Sequence, residues 1–237
     1  MKTVKSRSGW RVMPFLVLGM LASVIPARAA SIQVAMTVDN SYALFTGTGT
    51  AATTFVGSDN WWPTVETYNF NLPDDNYIYV VTASDLAVAQ GFLAQFDNIT
   101  AGYTFYSSDP QWQVMATGLG SAGAPYSGTP DDLALLTQEI NDANGGGNAS
   151  SGWVGLTAGP VNGSQPWGPI LAIDADARWV WYSSNGDSDP TQPGFNHDEW
   201  LVFRIRVGAT PVPEPATAML LLTGAGFATL LRRRSRA

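Results

Sequence analysis

Apolar side chains in the middle of this chain recur at every second position, and this alternation restricts the possible fold more than any other feature. Residues 31–38 place Ile32, Val34 and Met36 on one face of an extended segment. Successive side chains of a strand point to opposite faces, so the pattern is typical of a half-buried strand. The same reasoning predicts strands at residues 67–72, 111–115, 178–182 and 199–207. Residues 76–83 are β-branched and aromatic and apolar on both faces, which is typical of a central strand. Over 86–96 the period fits a short helix or a strand, and we favour a loop followed by a strand at 91–96.

One helix is marked in the second half of the chain. Thr129 precedes Pro130 and two aspartates, the pattern of an N-cap, a first-turn proline and acidic residues at the positive helix end. Leu136 and Ile140 share one face, and three glycines at 145–147 end the helix. Many strands with a single short helix predict an all-β fold, an antiparallel β-sandwich.

Charge divides the chain into three parts. The whole chain has 12 basic and 19 acidic residues and a net charge of −7. Residues 31–210, here called the body, contain 18 of the acidic residues, three Arg and no Lys, which gives a net charge of −15. A body with so few cations is not expected to bind nucleic acid, because phosphate contacts require Lys and Arg. With no Cys and a single His, the chain has no disulfide, thiolate metal site or multi-His metal centre.

Residues 1–30 have the pattern of a secretory signal peptide. A basic stretch that ends at Arg11 precedes an apolar run over residues 12–22, and the sequence Ala-Arg-Ala at 27–29 places small residues where signal peptidase requires them. The apolar run is short for a membrane span. We therefore expect cleavage after Ala29 or Ala30; an uncleaved membrane anchor is the alternative.

Residues 211–237 contain a second signal. A proline-rich opening at 211–215 precedes 16 uncharged residues at 216–231 and an arginine cluster at 232–236. As a helix the uncharged stretch would be about 24 Å long, and flanking residues could complete a span of about 30 Å. The arginines would remain on the cytoplasmic side, which leaves the body outside the cytoplasm.

This tail resembles the PEP-CTERM sorting signal of Gram-negative bacteria. The resemblance implies that an exosortase, a membrane-embedded protease and transpeptidase, recognises the Pro-Glu-Pro sequence after signal peptidase has acted. It also implies transient anchoring in the inner membrane through the C-terminal helix, followed by release to the cell surface or the extracellular polysaccharide matrix. A plain C-terminal anchor is the alternative. The residues that carry the resemblance are Val212, Pro213, Glu214, Pro215, Arg232, Arg233 and Arg234.

The body resembles the galactose-binding-like jelly rolls that accompany bacterial glycosidases. In the segment 37–45 a strand ends in Asp39 and Asn40, and an aromatic strand then leads to a glycine turn at 47–49. The order of the later strands at 68–94 and 177–207 is similar as well. The resemblance implies a jelly-roll sandwich that binds carbohydrate, with exopolysaccharide as the partner.

Asp39, Asn40, Trp61 and Trp62 are the candidate ligand-binding residues. Sugar rings stack their C–H faces on aromatic planes, and their hydroxyls pair with carboxylates and amides. Two adjacent tryptophans on a strand point to opposite faces, so we expect one of them to be exposed, which is typical of a contact surface. The alternative is that this pair only caps the end of the sandwich.

The other tryptophans have simpler interpretations. Trp179 and Trp181 stand two residues apart on a predicted strand, so we expect them to share a buried face. Trp153 and Trp167 lie in glycine- and proline-rich segments and are either binding platforms or loop anchors.

Calcium is the alternative ligand. Asn185, Asp187 and Asp189 alternate along an acidic turn and could gather oxygens around Ca²⁺, although the glutamate of an EF-hand loop is missing. A solvated acidic turn is the competing interpretation, and no other cofactor is indicated.

Catalysis has little support in the sequence. A catalytic triad would have to use His197, and no Gly-x-Ser-x-Gly sequence is present. We therefore assign no catalytic residues and expect a non-enzymatic, exosortase-sorted protein that binds carbohydrate in the matrix. The alternatives are a structural or self-associating component of the biofilm matrix and a secreted glycan hydrolase.

Overall fold

The computed structural model describes residues 29–73, 76–85, 87–120, 126–182, 191–192 and 199–208. Residues 1–28 of the signal-peptide pattern, the whole tail at 211–237 and the calcium candidates Asn185, Asp187 and Asp189 lie outside these residues. Within the described ranges, no helix is both long enough and apolar enough to cross a membrane.

Two antiparallel sheets pack face to face, which confirms the predicted antiparallel β-sandwich. Sheet A is ordered β10-β11-β6-β1-β4, with β7 also paired to β6, and sheet B is ordered β3-β2-β5-β12-β8-β9. The strands of sheet A are β1 (Ala30–Asp39), β4 (Glu66–Leu72), β6 (Gly91–Asn98), β7 (Tyr103–Tyr106), β10 (Thr157–Val161) and β11 (Arg178–Trp181). The strands of sheet B are β2 (Ser41–Thr48), β3 (Ala51–Asp59), β5 (Asn76–Ala83), β8 (Gln113–Gly120), β9 (Val154–Gly155) and β12 (Glu199–Val207).

The core between the sheets is rich in aromatic residues. Trp112 lies between Phe92 and Phe96, with ring centroids 5.5 and 5.6 Å away, and its indole Nε1 donates to the Tyr106 carbonyl at 2.9 Å. Burial of each aromatic ring contributes about 1.5–3 kcal/mol. Alternate residues of β1 and β12 complete this core, as the period of two predicted.

A helix covers the outer face of sheet B. Helix α1 (Pro130–Gly145) begins with a capping box at Thr129 and ends at Gly146, whose φ of 73° is the left-handed conformation that glycine adopts without strain. Leu136 and Ile140 are buried against sheet B. The predicted helix and both of its end signals are confirmed.

A loop covers the outer face of sheet A, and buried Asn162 holds it in place. The Asn162 Nδ2 amide donates to the carbonyls of Ile170 and Ile173 at 2.9 and 2.8 Å, and its Oδ1 accepts from the Ile170 N–H at 2.8 Å. The loop carries Trp167, which is buried with Trp179 in an apolar cluster outside sheet A. Two short strands, β9 and β10, lie between the helix and this loop.

Strand registers define two poles of the sandwich. Ala30, at the start of β1, pairs with Leu72, and Val207, at the end of β12, pairs with Asn76, four residues beyond Leu72. Both ends of the described body therefore lie at the same pole, here called the terminal pole.

The opposite pole is called the Asp39 pole. Asp39 pairs with Gly91 at the other end of β1, and Ser41 pairs with Ala83 at the start of β2. Two passages of the chain between the sheets therefore lie side by side at this pole.

Candidate functional site

Hydrogen bonds join the two passages at the Asp39 pole. The chain passes from β1 to β2 through Asn40 alone, and the Asn40 N–H donates to the Ala83 carbonyl at 3.2 Å. The Asn40 side-chain oxygen accepts from the Asp85 N–H at 2.8 Å. Because Asp85 follows β5, the side chain of Asn40 sets the direction in which the second passage leaves sheet B.

A cleft of about 260 Å³ opens at this corner, and we call it the corner cleft. It brings together Asp39, Asn40 and Trp62, three of the four residues that the sequence marked as candidate ligand-binding residues. The remaining residues that line it are Asp85, Ala87, Val88, Ala89, Pro166 and Trp167.

Asp39 is the buried acid of the corner cleft. Only 7% of its surface is exposed, and its Oδ2 accepts a 2.7 Å hydrogen bond from the Trp167 Nε1. Burial raises the pKa of the Asp39 carboxyl to about 6; the Trp167 hydrogen bond opposes this shift, and the negative charge of Asp85 adds to it. At neutral pH the carboxylate is ionised, and it is a strong acceptor in a site partly shielded from water.

Trp167 forms the wall behind Asp39, and its ring stacks on Trp179 with centroids 4.1 Å apart and planes 18° apart. A Cβ on Gly91 would lie 2.7 Å from the Trp179 ring, so glycine at this position makes room for the stacked pair. The sequence allowed two roles for Trp167, a binding platform or a loop anchor. In the structure Trp167 is an anchored residue that also lines the cleft. No local pattern marks it, because Asn162 and Trp179 determine its position.

Trp61 and Trp62 lie in a turn after β3, so the prediction that they occupy a strand was wrong. The Trp61 N–H donates to Asp59 Oδ2 at 3.2 Å, and the Thr37 hydroxyl donates to the Trp62 carbonyl at 2.6 Å. Trp61 is 63% exposed, whereas Trp62 is half-buried against the cluster that contains Trp167. The turn therefore separates the two rings as expected, with Trp62 in the cleft and Trp61 in solvent.

The remaining tryptophans differ from expectation in one respect. Trp179 and Trp181 are both fully buried, but Trp179 lies outside sheet A and Trp181 lies in the core between the sheets. The predicted shared face was wrong, since the two rings belong to different apolar clusters. Trp153 lies on sheet B, where its ring stacks with Arg204.

The described residues contain no group of three or more His, Cys, Asp or Glu side chains that could hold a metal ion. The corner cleft holds two carboxylates, Asp39 and Asp85, and Asp85 is exposed. His197 lies outside the described residues.

Comparison with known families identifies the tail. Residues 211–235 match the model of the PEP-CTERM protein-sorting motif. The tail is a PEP-CTERM motif. The motif marks an exported protein that is anchored transiently in the membrane and processed by an exosortase. Its range includes Pro213, Glu214 and Pro215 and the arginines at 232–234. No curated protein and no solved structure matches the chain.

Proposed function

We propose that the body binds carbohydrate at the corner cleft, without catalysis, in the extracellular polysaccharide matrix. The observation that carries the proposal is the chemistry of the cleft lining, to which an indole from Trp62, a carboxylate from Asp39 and an amide from Asn40 belong. An aromatic plane suits the C–H face of a sugar ring, and carboxylate and amide groups suit its hydroxyls.

The charge of the cleft favours neutral or amine-bearing sugars. The residues that line it include two aspartates and no Lys or Arg. A carboxylate-bearing polysaccharide would be repelled both by this cleft and by the net charge of −15 on the body. Neutral hydroxyls can donate to Asp39, and an amino group can additionally form a charge-assisted hydrogen bond.

The galactose-binding-like jelly roll belongs to this proposal as its fold assignment. The antiparallel sandwich supports it, and so does the place where β1 ends, since Asp39 and Asn40 lie at the cleft as the resemblance implies.

A glycan hydrolase is the second candidate, and one observation favours it. A glycosidase usually works with a pair of carboxyl groups, one of which has a raised pKa. The cleft contains Asp39 and Asp85, and the pKa of Asp39 is raised to about 6. Asp39 is, however, held by the Trp167 Nε1, which fits a fixed acceptor better than a proton donor.

A titration tests carbohydrate binding directly. The processed protein, purified from the matrix fraction of the host, is titrated with the neutral fraction of the host exopolysaccharide, and binding is measured by calorimetry and tryptophan fluorescence. We expect saturable binding that Trp62→Ala weakens about tenfold, because loss of one stacking contact costs about 1.4 kcal/mol. Leu171→Ala is the matched control, since Leu171 is 94% exposed and does not line the cleft.

Two outcomes would overturn the proposal. One is the absence of binding in the wild-type protein; the other is equal binding by the wild type and Trp62→Ala when circular dichroism shows both folded. Release of reducing ends by the wild type that Asp85→Asn abolishes would favour the hydrolase instead.

A further inference from the structure

We propose that the corner cleft faces away from the membrane, at the pole farthest from the PEP-CTERM tail, and that it therefore takes a polysaccharide chain of the matrix rather than a lipid headgroup. The choice of ligand rests on the proposed function. The orientation rests only on the strand registers and on the length of chain between the body and the tail.

The registers place the cleft and the tail at opposite ends of the sandwich. Strand β1 runs ten residues from Ala30 at the terminal pole to Asp39 at the cleft, and at about 3.3 Å per residue it spans about 30 Å. Strand β12 runs toward the terminal pole, because Leu201 pairs with Thr82 near the cleft and Val207 pairs with Asn76. The chain therefore leaves the body at the pole without the cleft.

The connection to the tail is too short to reverse this arrangement easily. Gly208 is the last described residue, and the uncharged stretch of the tail begins at Ala216, eight residues later. Eight residues reach at most about 28 Å even when fully extended. To bring the cleft to the membrane, the connection would have to run back along the whole body and use all of that length.

Both poles carry acidic side chains, so charge does not decide the orientation. Asp39 and Asp85 lie at the Asp39 pole. Asp97, which pairs with Gln33, and Asp109, which lies beside Arg206 and Val207, are toward the terminal pole.

The absence of cysteine permits a direct measurement. Single cysteines are introduced as Asn60→Cys at the Asp39 pole and Thr50→Cys at the terminal pole, both exposed positions. The full-length precursor, labelled with a thiol-reactive fluorophore, is reconstituted into phosphatidylcholine–phosphatidylglycerol vesicles that contain a lipid with a nitroxide on its headgroup.

Quenching by the headgroup nitroxide should be several-fold stronger for the label at residue 50 than for the label at residue 60. Ile99→Cys is a second terminal-pole variant, which guards against a local disturbance at the β2–β3 turn; Ile99 is 61% exposed and its N–H donates to Ser31 near the start of β1. It should behave like Thr50→Cys.

Equal quenching at the two poles, or stronger quenching at residue 60, would overturn the orientation. The polysaccharide titration above is a separate measurement made without membrane. Failure of binding with intact quenching asymmetry would remove the proposed function and leave the orientation, and loss of asymmetry with intact binding would do the reverse.

Discussion

The two outer faces of the sandwich differ in how each holds a buried charged side chain next to a tryptophan. On each face a covering segment supplies a tryptophan that contacts a buried charged residue of the sheet. On sheet A, Trp167 donates a hydrogen bond to Asp39, and on sheet B the guanidinium of Arg204 lies 3.7 Å from the ring centre of Trp153.

On the sheet B face, the guanidinium of Arg204 finds its hydrogen-bond acceptors within the protein. Arg204 Nε donates to Gln113 Oε1 at 2.9 Å, and Nη1 donates to Asn144 Oδ1 at 3.0 Å, so helix α1 takes part through Asn144. Burial lowers the pKa of Arg204, and neutral oxygen acceptors together with aromatic rings replace its hydration. The guanidinium thereby fixes helix, sheet and Trp153 to one another.

Among the described residues, Asp39 on the sheet A face has acceptor sites that no donor occupies. A carboxylate offers about four lone-pair sites, and the Trp167 Nε1 occupies one of them on Asp39. The cleft opens beside this carboxylate, where ligand hydroxyls could donate to the remaining sites. On sheet B the buried charge of Arg204 thus stabilises the packing of the covering segment. On sheet A the buried charge of Asp39 has acceptor sites that a ligand could use.

The largest expected effect comes from removing the anchor of the sheet A face. Trp179→Ala should lower the free energy of unfolding by about 3–5 kcal/mol, because Trp179 is fully buried and its loss leaves a cavity under Trp167. Urea unfolding measures the change. Carbohydrate binding should be lost with it, since Trp167 would no longer hold Asp39; a variant of unchanged stability would show that the stacked pair is not structural.

A somewhat smaller effect is expected on the sheet B face. Arg204→Ala should cost about 3 kcal/mol, because it removes the stacking with Trp153 and leaves Gln113 and Asn144 without this donor. Arg206→Ala, two residues along the same strand and exposed, is the control and should change stability by less than about 1 kcal/mol, because interactions of an exposed charge contribute little. Carbohydrate affinity should survive Arg204→Ala at temperatures where the variant is folded, and its loss would mean that the two faces are coupled.

The smallest expected effect is the contribution of the Asp39 carboxyl to the pH dependence of stability. The Asp39 pKa is raised from 3.8 to about 6 in the folded state, so between these pH values the folded protein binds more protons than the unfolded chain. The free energy of unfolding should therefore fall, by about 2 kcal/mol from this residue, as pH rises from about 4 to about 6.

Asp39→Asn, which keeps an oxygen to accept from Trp167, should abolish that part of the pH dependence. Urea unfolding of wild type and variant at a series of pH values gives the difference between their stabilities. That difference should be small near pH 4 and should favour the variant near pH 7. A difference that does not change with pH would mean that burial does not hold the Asp39 carboxyl in its neutral form.

The sequence predicted those parts of the fold that depend on local patterns. Alternation placed β4 and β12 within a residue of their observed bounds, a run of β-branched and aromatic residues placed β5, and the capping signals placed α1. Strand β3 was not predicted, because it consists mainly of small residues and threonine. Its pairing with β2 also contains register shifts, which break the alternation.

The site was only partly predictable for the same reason. Asp39 and Asn40 stand at a strand end, which a sequence shows, and Trp62 follows closely enough to be associated with them. Trp167 reaches the cleft because Asn162 binds carbonyls eight and eleven residues away, an arrangement that no local period encodes. Trp179 and Trp181 likewise lie in different layers although they stand two residues apart, which alternation alone does not predict.

The position of β12 sets the order in which the body can mature. It is the last strand of the body, yet it lies between β5 and β8 and contributes Leu201, Phe203 and Ile205 to the core between the sheets. An exported chain crosses the membrane N-terminus first, so sheet B remains split until β12, which lies just before the sorting motif, has crossed. A chain cut short before residue 199 would present two unpaired strand edges, on β5 and β8, instead of a finished domain.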